Sequence, residues 1–184
     1  MGYAIAEVCA AEGAEVILVS GPVDLDPVHP NITRIPVVSA AEMYDACMDH
    51  FKHCDIGIMA AAVADFTPSV LSGTKVKRGK DSLDIRLVPT NDIAAELGKM
   101  KNNSQLLIGF ALETDQEMEN ATSKLRRKNL DMIVLNSLRD EGAGFGTDTN
   151  KITIIDKNNN IDIFELKSKT EVARDIVDAI LRIS

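Results

Sequence analysis

Two short basic clusters stand out in a chain whose overall charge is negative. Lys75, Lys77, Arg78 and Lys80 fall within six residues, just past an apolar run that ends near Asp65 and Pro68; Lys124, Arg126, Arg127 and Lys128 fall within five. Together they hold eight of the 20 cations in a chain with 28 acidic residues and a net charge of −8. Such a charge repels nucleic acid and anionic membranes, so neither is expected as a partner, and any anion site must be local. Lysines on a loop can close over a polyphosphate as point charges. The same run also reads as an ordinary solvated loop. Lys124 and Lys128 are four apart and share a helical face, where they can meet a ligand, complement the negative end of the helix dipole, or do both. Asp65, placed where a buried strand should end, can hold a ligand hydroxyl, a metal or the N–H groups of its own loop.

Other groupings carry less. His50, His53 and Cys54 in "HFKHC" resemble zinc ligands but lack a fourth. "GAGFGTD" at 142–148 contains G-x-G yet precedes a hairpin pattern instead of opening a helix, so it reads as a turn. No G-x-S-x-G supports a serine nucleophile. Cys9, Cys47 and Cys54 are odd in number and form no C-x-x-C, as in reduced cytosolic thiols.

These residues need a scaffold, and the hydrophobic periodicity supplies one. "GYAIAEVCAAEG" predicts a helix with Ile5, Val8 and Cys9 on one face, stopped at Gly13. "AEVILVSG" and "ITRIPVVS" predict strands, "AAEMYDACMDHF" a helix with Met43, Ala46 and Cys47 inward, and "DIGIMAAAV" a buried strand. After the basic segment, "SLDIRLVP" alternates as a half-exposed strand. "TNDIAAELGKM" predicts a helix capped by Thr90 or Asn91. "QLLIGFAL" and "DMIVLNS" predict buried strands. The helix between them starts on a capping box of Thr114 and Glu117 and carries Met118, Ala121 and Leu125. "KITIIDKNNNIDIFEL" predicts a hairpin, and "SKTEVARDIVDAILRI" an amphipathic helix with Val172, Ile176 and Ile180 inward.

Buried strands alternating with helices over 184 residues predict one domain, residues 1–184, of doubly wound, mainly parallel Rossmann-like α/β fold with a β-hairpin near the C-terminus. Ligands of such sheets bind beyond the carboxyl ends of the strands. Asp65, the loop after Ala111 and Asn136 all fall on that edge. The second strand ends in Ser20-Gly21-Pro22, without the acidic residue that holds a dinucleotide ribose, which weighs against an NAD dehydrogenase. No apolar run reaches the roughly 20 residues of a bilayer span, and the first residues lack a signal-peptide pattern. A cytoplasmic location is expected.

The ordered set "LVSGPV", "AAVADF", "KVKR", "NDIAAEL", "GFALET", "KLRRKNLDMIVLN" and "GFGTDTN" resembles the phosphopantothenate–cysteine ligase family along essentially the whole chain. In bacteria this is the synthetase half of a two-domain coenzyme A biosynthesis protein. The resemblance implies CTP-dependent ligation of 4′-phosphopantothenate with L-cysteine through an acyl-cytidylate, with Mg²⁺ beside the nucleotide. It implies that Lys75 is the lysine needed to form the acyl-cytidylate. Met59, Ala60, Ala61 and Asp65 become nucleotide contacts, Asn91, Asp92, Ile93 and Ala94 the segment near the base, and Phe110, Lys124 and Lys128 the remaining contacts. Asn91 stands where the family has proline. The resemblance also implies a homodimer, and a fused or associated flavin-dependent decarboxylase domain outside these residues. A first strand and an S-N-x-S-S-G-like loop are expected upstream of Met1, so the chain taken alone should bind CTP weakly and form little product. Two other classes share the α/β pattern: a nicotinamide or flavin oxidoreductase, and a non-catalytic nucleotide-binding module.

Overall fold

A computed structural model describes residues 1–70, 72–78, 82–113, 115–137 and 147–184. Helix α1 (Gly2–Ala11) ends as expected at Gly13, whose φ of +93° needs a residue without a Cβ. Strands β1 (Val16–Ser20) and β2 (Ile32–Pro36) pair in parallel, followed by α2 (Ala40–Phe51) with Ser39 as its cap. Strand β3 (Ile56–Met59) leads to a ribbon of β4 (Phe66–Pro68) and β5 (Leu87–Pro89), then to α3 (Ile93–Met100). Next come β6 (Leu106–Glu113), α4 (Glu117–Arg127) and β7 (Met132–Ser137). The chain closes with β8 (Thr149–Asn150), β9 (Ile152–Asp156), β10 (Ile161–Ile163), β11 (Lys167–Ser168) and α5 (Lys169–Ile183).

The main sheet has the order β10-β9-β7-β6-β3, with β3, β6 and β7 parallel and the predicted β9–β10 hairpin antiparallel at one side. Both faces are covered, because β6 and β7 are apolar in both phases of their alternation. Ile108, Met132 and Val134 pack on Ile5 and Val8 of α1 and on Val172, Ile176 and Ile180 of α5. Leu107, Ala111, Ile133 and Leu135 pack on Phe51, Leu97, Ala121 and Leu125 from α2, α3 and α4. The fold is therefore Rossmann-like α/β, with a mainly parallel central sheet.

Among the described residues β1 hydrogen-bonds only to β2, and β3 only to β6. Helix α1 spans both parts: Ala6 and Ala10 pack on Val16, Leu18 and Ile32, while Ile5 and Val8 reach the main core.

Several local expectations need correction. The third strand is shorter than "DIGIMAAAV", because residues 60–64 leave the ladder at the carboxyl edge. "SLDIRLVP" forms strand only at Leu87–Pro89, as half of an isolated ribbon. The cap of α3 is Asp92, which accepts from the N–H of Ala95 at 3.1 Å. Thr90 is engaged elsewhere, donating its N–H to the Asp65 carbonyl and its hydroxyl to the Ala64 carbonyl. Helix α4 starts after Gln116, at a φ of +45°, with no side-chain cap; Thr114 lies outside the described residues, as do Lys80 and most of "GAGFGTD". A reciprocal cap is present at α5, between Ser168 and Glu171.

Under the sheet, Asp131 fastens three elements at the amino end of β7. Its carboxylate accepts from Lys101 at 2.5 Å, Lys157 at 3.1 Å and the N–H of Leu107 at 2.9 Å. Burial alone would raise its pKa, but these three donors outweigh burial and hold it below the ordinary aspartate value.

Candidate functional site at the carboxyl edge

The parallel strands β3, β6 and β7 end on one edge, and several of the predicted residues lie along it. Met59 closes β3 and is in register with Gly109, the neighbour of Phe110 on β6. Met59 packs toward the α2–α3–α4 core and Phe110 toward the α1–α5 core, so the two straddle the sheet. Ala60 follows in the turn, and α1 begins beside it: a Cβ added to Gly2 would lie 3.8 Å from that of Ala60. Ala61 and Asp65 are exposed, and Asp65 sits at the base of the ribbon, its carbonyl 2.9 Å from the N–H of Thr90. Asn136, next to last in β7, lies toward the same edge, opposite Leu112.

The clearest juxtaposition is between α3 and the end of α4. Asn91 and Asp92 are exposed, while Ile93 and Ala94 turn into the helix. Lys128 reaches Asp92 across 36 residues of sequence, with Nζ 2.9 Å from the carboxylate. Burial alone would raise the Asp92 pKa, but the Lys128 and Ala95 hydrogen bonds prevail and lower it. Both ends of this pair are fixed by backbone. Asn129 adopts a left-handed φ of +52°, a conformation asparagine tolerates at a helix end, and lets Leu130 N–H close on the Leu125 carbonyl. Its side chain donates to the Gly98 carbonyl at 2.7 Å. A Cβ on Gly98 would lie 1.9 Å from the Lys128 carbonyl oxygen, so only glycine permits this crossing. One turn earlier, Lys124 pairs with Glu113 at the end of β6.

The first basic cluster is built differently. Lys75, Lys77 and Arg78 lie in an exposed loop carried by the β4–β5 ribbon, where the described contacts are local, such as the Ser72 hydroxyl donating to the Thr74 carbonyl at 2.7 Å. Among the described residues no hydrogen bond or ion pair joins this loop to α3 or α4. The structure thus brings Asp92 to Lys128, and Met59 beside the Phe110 strand, but does not bring Lys75 to either. Sequence reasoning missed Glu113, Gly98 and Asn129. Only the Asn at a helix end carried a local signal.

The thiols are held toward their protonated form. Burial raises the pKa of Cys9 and Cys47, and burial with the neighbouring Asp55 charge raises that of Cys54. Cys54 donates to the His50 carbonyl at 3.3 Å. Among the described residues no three His, Cys, Asp or Glu side chains converge as a metal site, and no helix is long and apolar enough to cross a membrane.

Comparison with known proteins agrees with this architecture. Residues 1–183 match the family model described as DNA/pantothenate metabolism flavoprotein C-terminal domain. A relative from an unknown prokaryotic organism, named cysteine/cysteine sulfinic acid decarboxylase, is 65% identical over 98% of this chain and 50% of its own length. The coenzyme A biosynthesis bifunctional protein CoaBC of Bacillus subtilis (strain 168) is 44% identical over 100% of this chain and 45% of its own length. The crystal structure of the C-terminal domain of a CoaBC protein superposes with a TM-score of 0.82 at 41% identity, covering 99% of this chain and 81% of that one. The chain spans about half the length of the curated relatives it matches. With this sheet, this carboxyl edge and these matches, the chain belongs to the DNA/pantothenate metabolism flavoprotein C-terminal domain family, that of the synthetase domain its motifs resemble.

Proposed function

We propose that the chain is the synthetase part of a coenzyme A biosynthesis protein, and that it joins 4′-phosphopantothenate to L-cysteine at the expense of CTP. The observation that carries this reading is the α3–α4 corner, where Glu113 at the carboxyl edge sets Lys124, and Asp92 of the Asn91–Ala94 segment sets Lys128. A nucleotide there would lay its phosphates against the two lysines and its base against α3, with Met59, Ala60, Ala61, Asp65 and Phe110 around it.

In the first step a carboxylate oxygen of 4′-phosphopantothenate attacks the α-phosphorus of CTP. The bond to the β-phosphate breaks and pyrophosphate leaves. In the second, the amine of cysteine attacks the acyl carbon, the bond to CMP breaks, and the amine proton passes to solvent. Neither step uses a protein nucleophile, in keeping with the raised thiol pKa values. What the residues supply is alignment and positive charge, which is where most phosphoryl-transfer catalysis comes from. Lys75 is assigned to the charge that develops on the phosphates during the first step. Magnesium fits as an ion carried mainly by the phosphates with few protein ligands, its usual habit, and would neutralise phosphate charge there.

The same reading includes a homodimer. Its support is the ribbon, where Phe66, opposite Pro89, and Leu87, opposite Pro68, share one face and are 58% and 54% exposed, with Ile85 just before it 59% exposed. An isolated two-stranded ribbon is marginal in water without a covered face. Phe66→Asp should halve the mass measured by sedimentation; an unaltered mass would place any contact elsewhere. Decarboxylation, the activity in the name of the 65% identical relative, is assigned to the half of that protein outside the match.

The test of the ligase reading is pyrophosphate release by protein carrying the chain with its upstream reading frame. Release should require both CTP and 4′-phosphopantothenate, and amide product should require cysteine. Equal or faster release with ATP would overturn the choice of CTP. Binding of CTP with no release under any combination would favour a non-catalytic module.

A further inference from the structure

We infer that Glu113 is a positioning residue, one that sets Lys124 for an anionic ligand without touching the ligand itself; the inference rests on the nucleotide reading above. Glu113 is the last residue of β6, the strand between β3 and β7, so its carboxylate stands at the middle of the carboxyl edge. Its side chain is only 13% exposed, and a carboxylate so buried needs partners. Both partners come from one face of α4. Lys124 Nζ pairs with Oε1, and Asn120 Nδ2 approaches Oε2 at 3.4 Å while donating to the Asp115 carbonyl at 2.9 Å.

A lysine in the last turn of a helix ordinarily extends into solvent, as a flexible stem with many rotamers. Here the ammonium is drawn back to the end of β6, toward the edge where a ligand would lie. Holding it there beforehand removes an ordering cost from binding. Glu113 cannot be a phosphate ligand, since like charges repel. Its effect must pass through Lys124.

Two opposite consequences of removing the charge can be separated by sign. If Glu113 only competes for Lys124, Glu113→Gln should tighten nucleotide binding. If it positions Lys124, the same change should weaken binding, by roughly 5- to 20-fold for a charged hydrogen bond that is partly exposed on one side. The experiment is calorimetric titration of CTP into protein carrying the chain with its upstream reading frame, and into its E113Q, K124Q, E113Q/K124Q and E113D variants, with thermal unfolding of each as a fold control. We expect E113Q to weaken binding, the double variant to bind no more weakly than K124Q alone, and E113D to recover part of the loss. At saturating CTP the rate of pyrophosphate release by E113Q should return to near that of the unaltered protein, so the change falls on KM. Tighter or unchanged binding in E113Q, with K124Q impaired, would overturn the positioning role and leave the nucleotide reading standing. Additive losses in the double variant would likewise overturn it. A shift in magnesium requirement would make Glu113 a metal ligand and overturn it too. Unimpaired binding in K124Q would defeat the nucleotide reading and this inference together.

Discussion

The two basic clusters sit on opposite kinds of support. Lys124 and Lys128 project from a helix packed on the sheet, each paired with a carboxylate from another element, and the helix end is locked by Asn129 against Gly98. Lys75, Lys77 and Arg78 project from an exposed loop on a ribbon that, among the described residues, shares no ladder with any other sheet. A charge that meets phosphate charge present before and during the reaction favours the ground state and the transition state alike. A charge aimed at where new charge develops favours the transition state more. The α4 cluster should therefore govern affinity, and the loop cluster rate.

The largest effect expected from this contrast is on the loop. Lys75→Gln should slow acyl-cytidylate formation by on the order of 10²–10³, the cost of losing one transition-state donor. Binding of CTP by calorimetry, and thermal stability, should change little. A single-turnover rate equal to that of the unaltered protein would return Lys75 to the role of a solvated loop residue and erase the distinction.

A smaller effect is expected where the helices cross. Gly98→Ala forces a Cβ against the Lys128 carbonyl, and α3 must move away from the end of α4. Overpacking of this kind costs about 1–3 kcal/mol, to be read from urea unfolding. The variant should also bind CTP more weakly, because Asp92 and Lys128 can no longer meet in the same way. Unchanged stability and affinity would mean that the crossing is looser than described.

The smallest effect concerns pH. The Asp92 carboxyl titrates lower in the folded protein than in an unfolded chain, chiefly because Lys128 and the Ala95 N–H overcome the effect of burial. A depressed folded pKa adds stability that is fully present above the ordinary aspartate pKa and disappears as pH falls through the folded value. Asp92→Asn should therefore lose less stability on acidification than the unaltered protein, with the curves converging below the carboxylate range. Parallel stability curves for the two proteins across that window would deny the Asp92–Lys128 pair any part in fixing the corner.

The sequence made the parallel core readable because it is written in short-range periodicity. The runs at β6 and β7 are apolar in both phases, and α5 repeats Val172, Ile176 and Ile180 at helical spacing. The site was readable only in part. Asp65, Lys124 and Lys128 were signalled by residue type and by position after strands. The cap of α3 was not, since Thr90, Asn91 and Asp92 are all competent caps, and the ribbon decided the matter by taking Thr90 for itself. Glu113 and Lys124 are eleven residues apart in different elements, and Gly98 meets Lys128 across thirty, so no local pattern could join them.

The clasp at Asp131 has a consequence for how the molecule comes apart. One carboxylate there takes hydrogen bonds from Lys101 after α3, from the Leu107 N–H in β6 and from Lys157 after β9. Elements that share a buried partner open together, because releasing one strips donors from a charge the others must still cover. Under mild denaturant, amide protons of β6, β7 and β9 should therefore exchange as one group, at the pace of global unfolding.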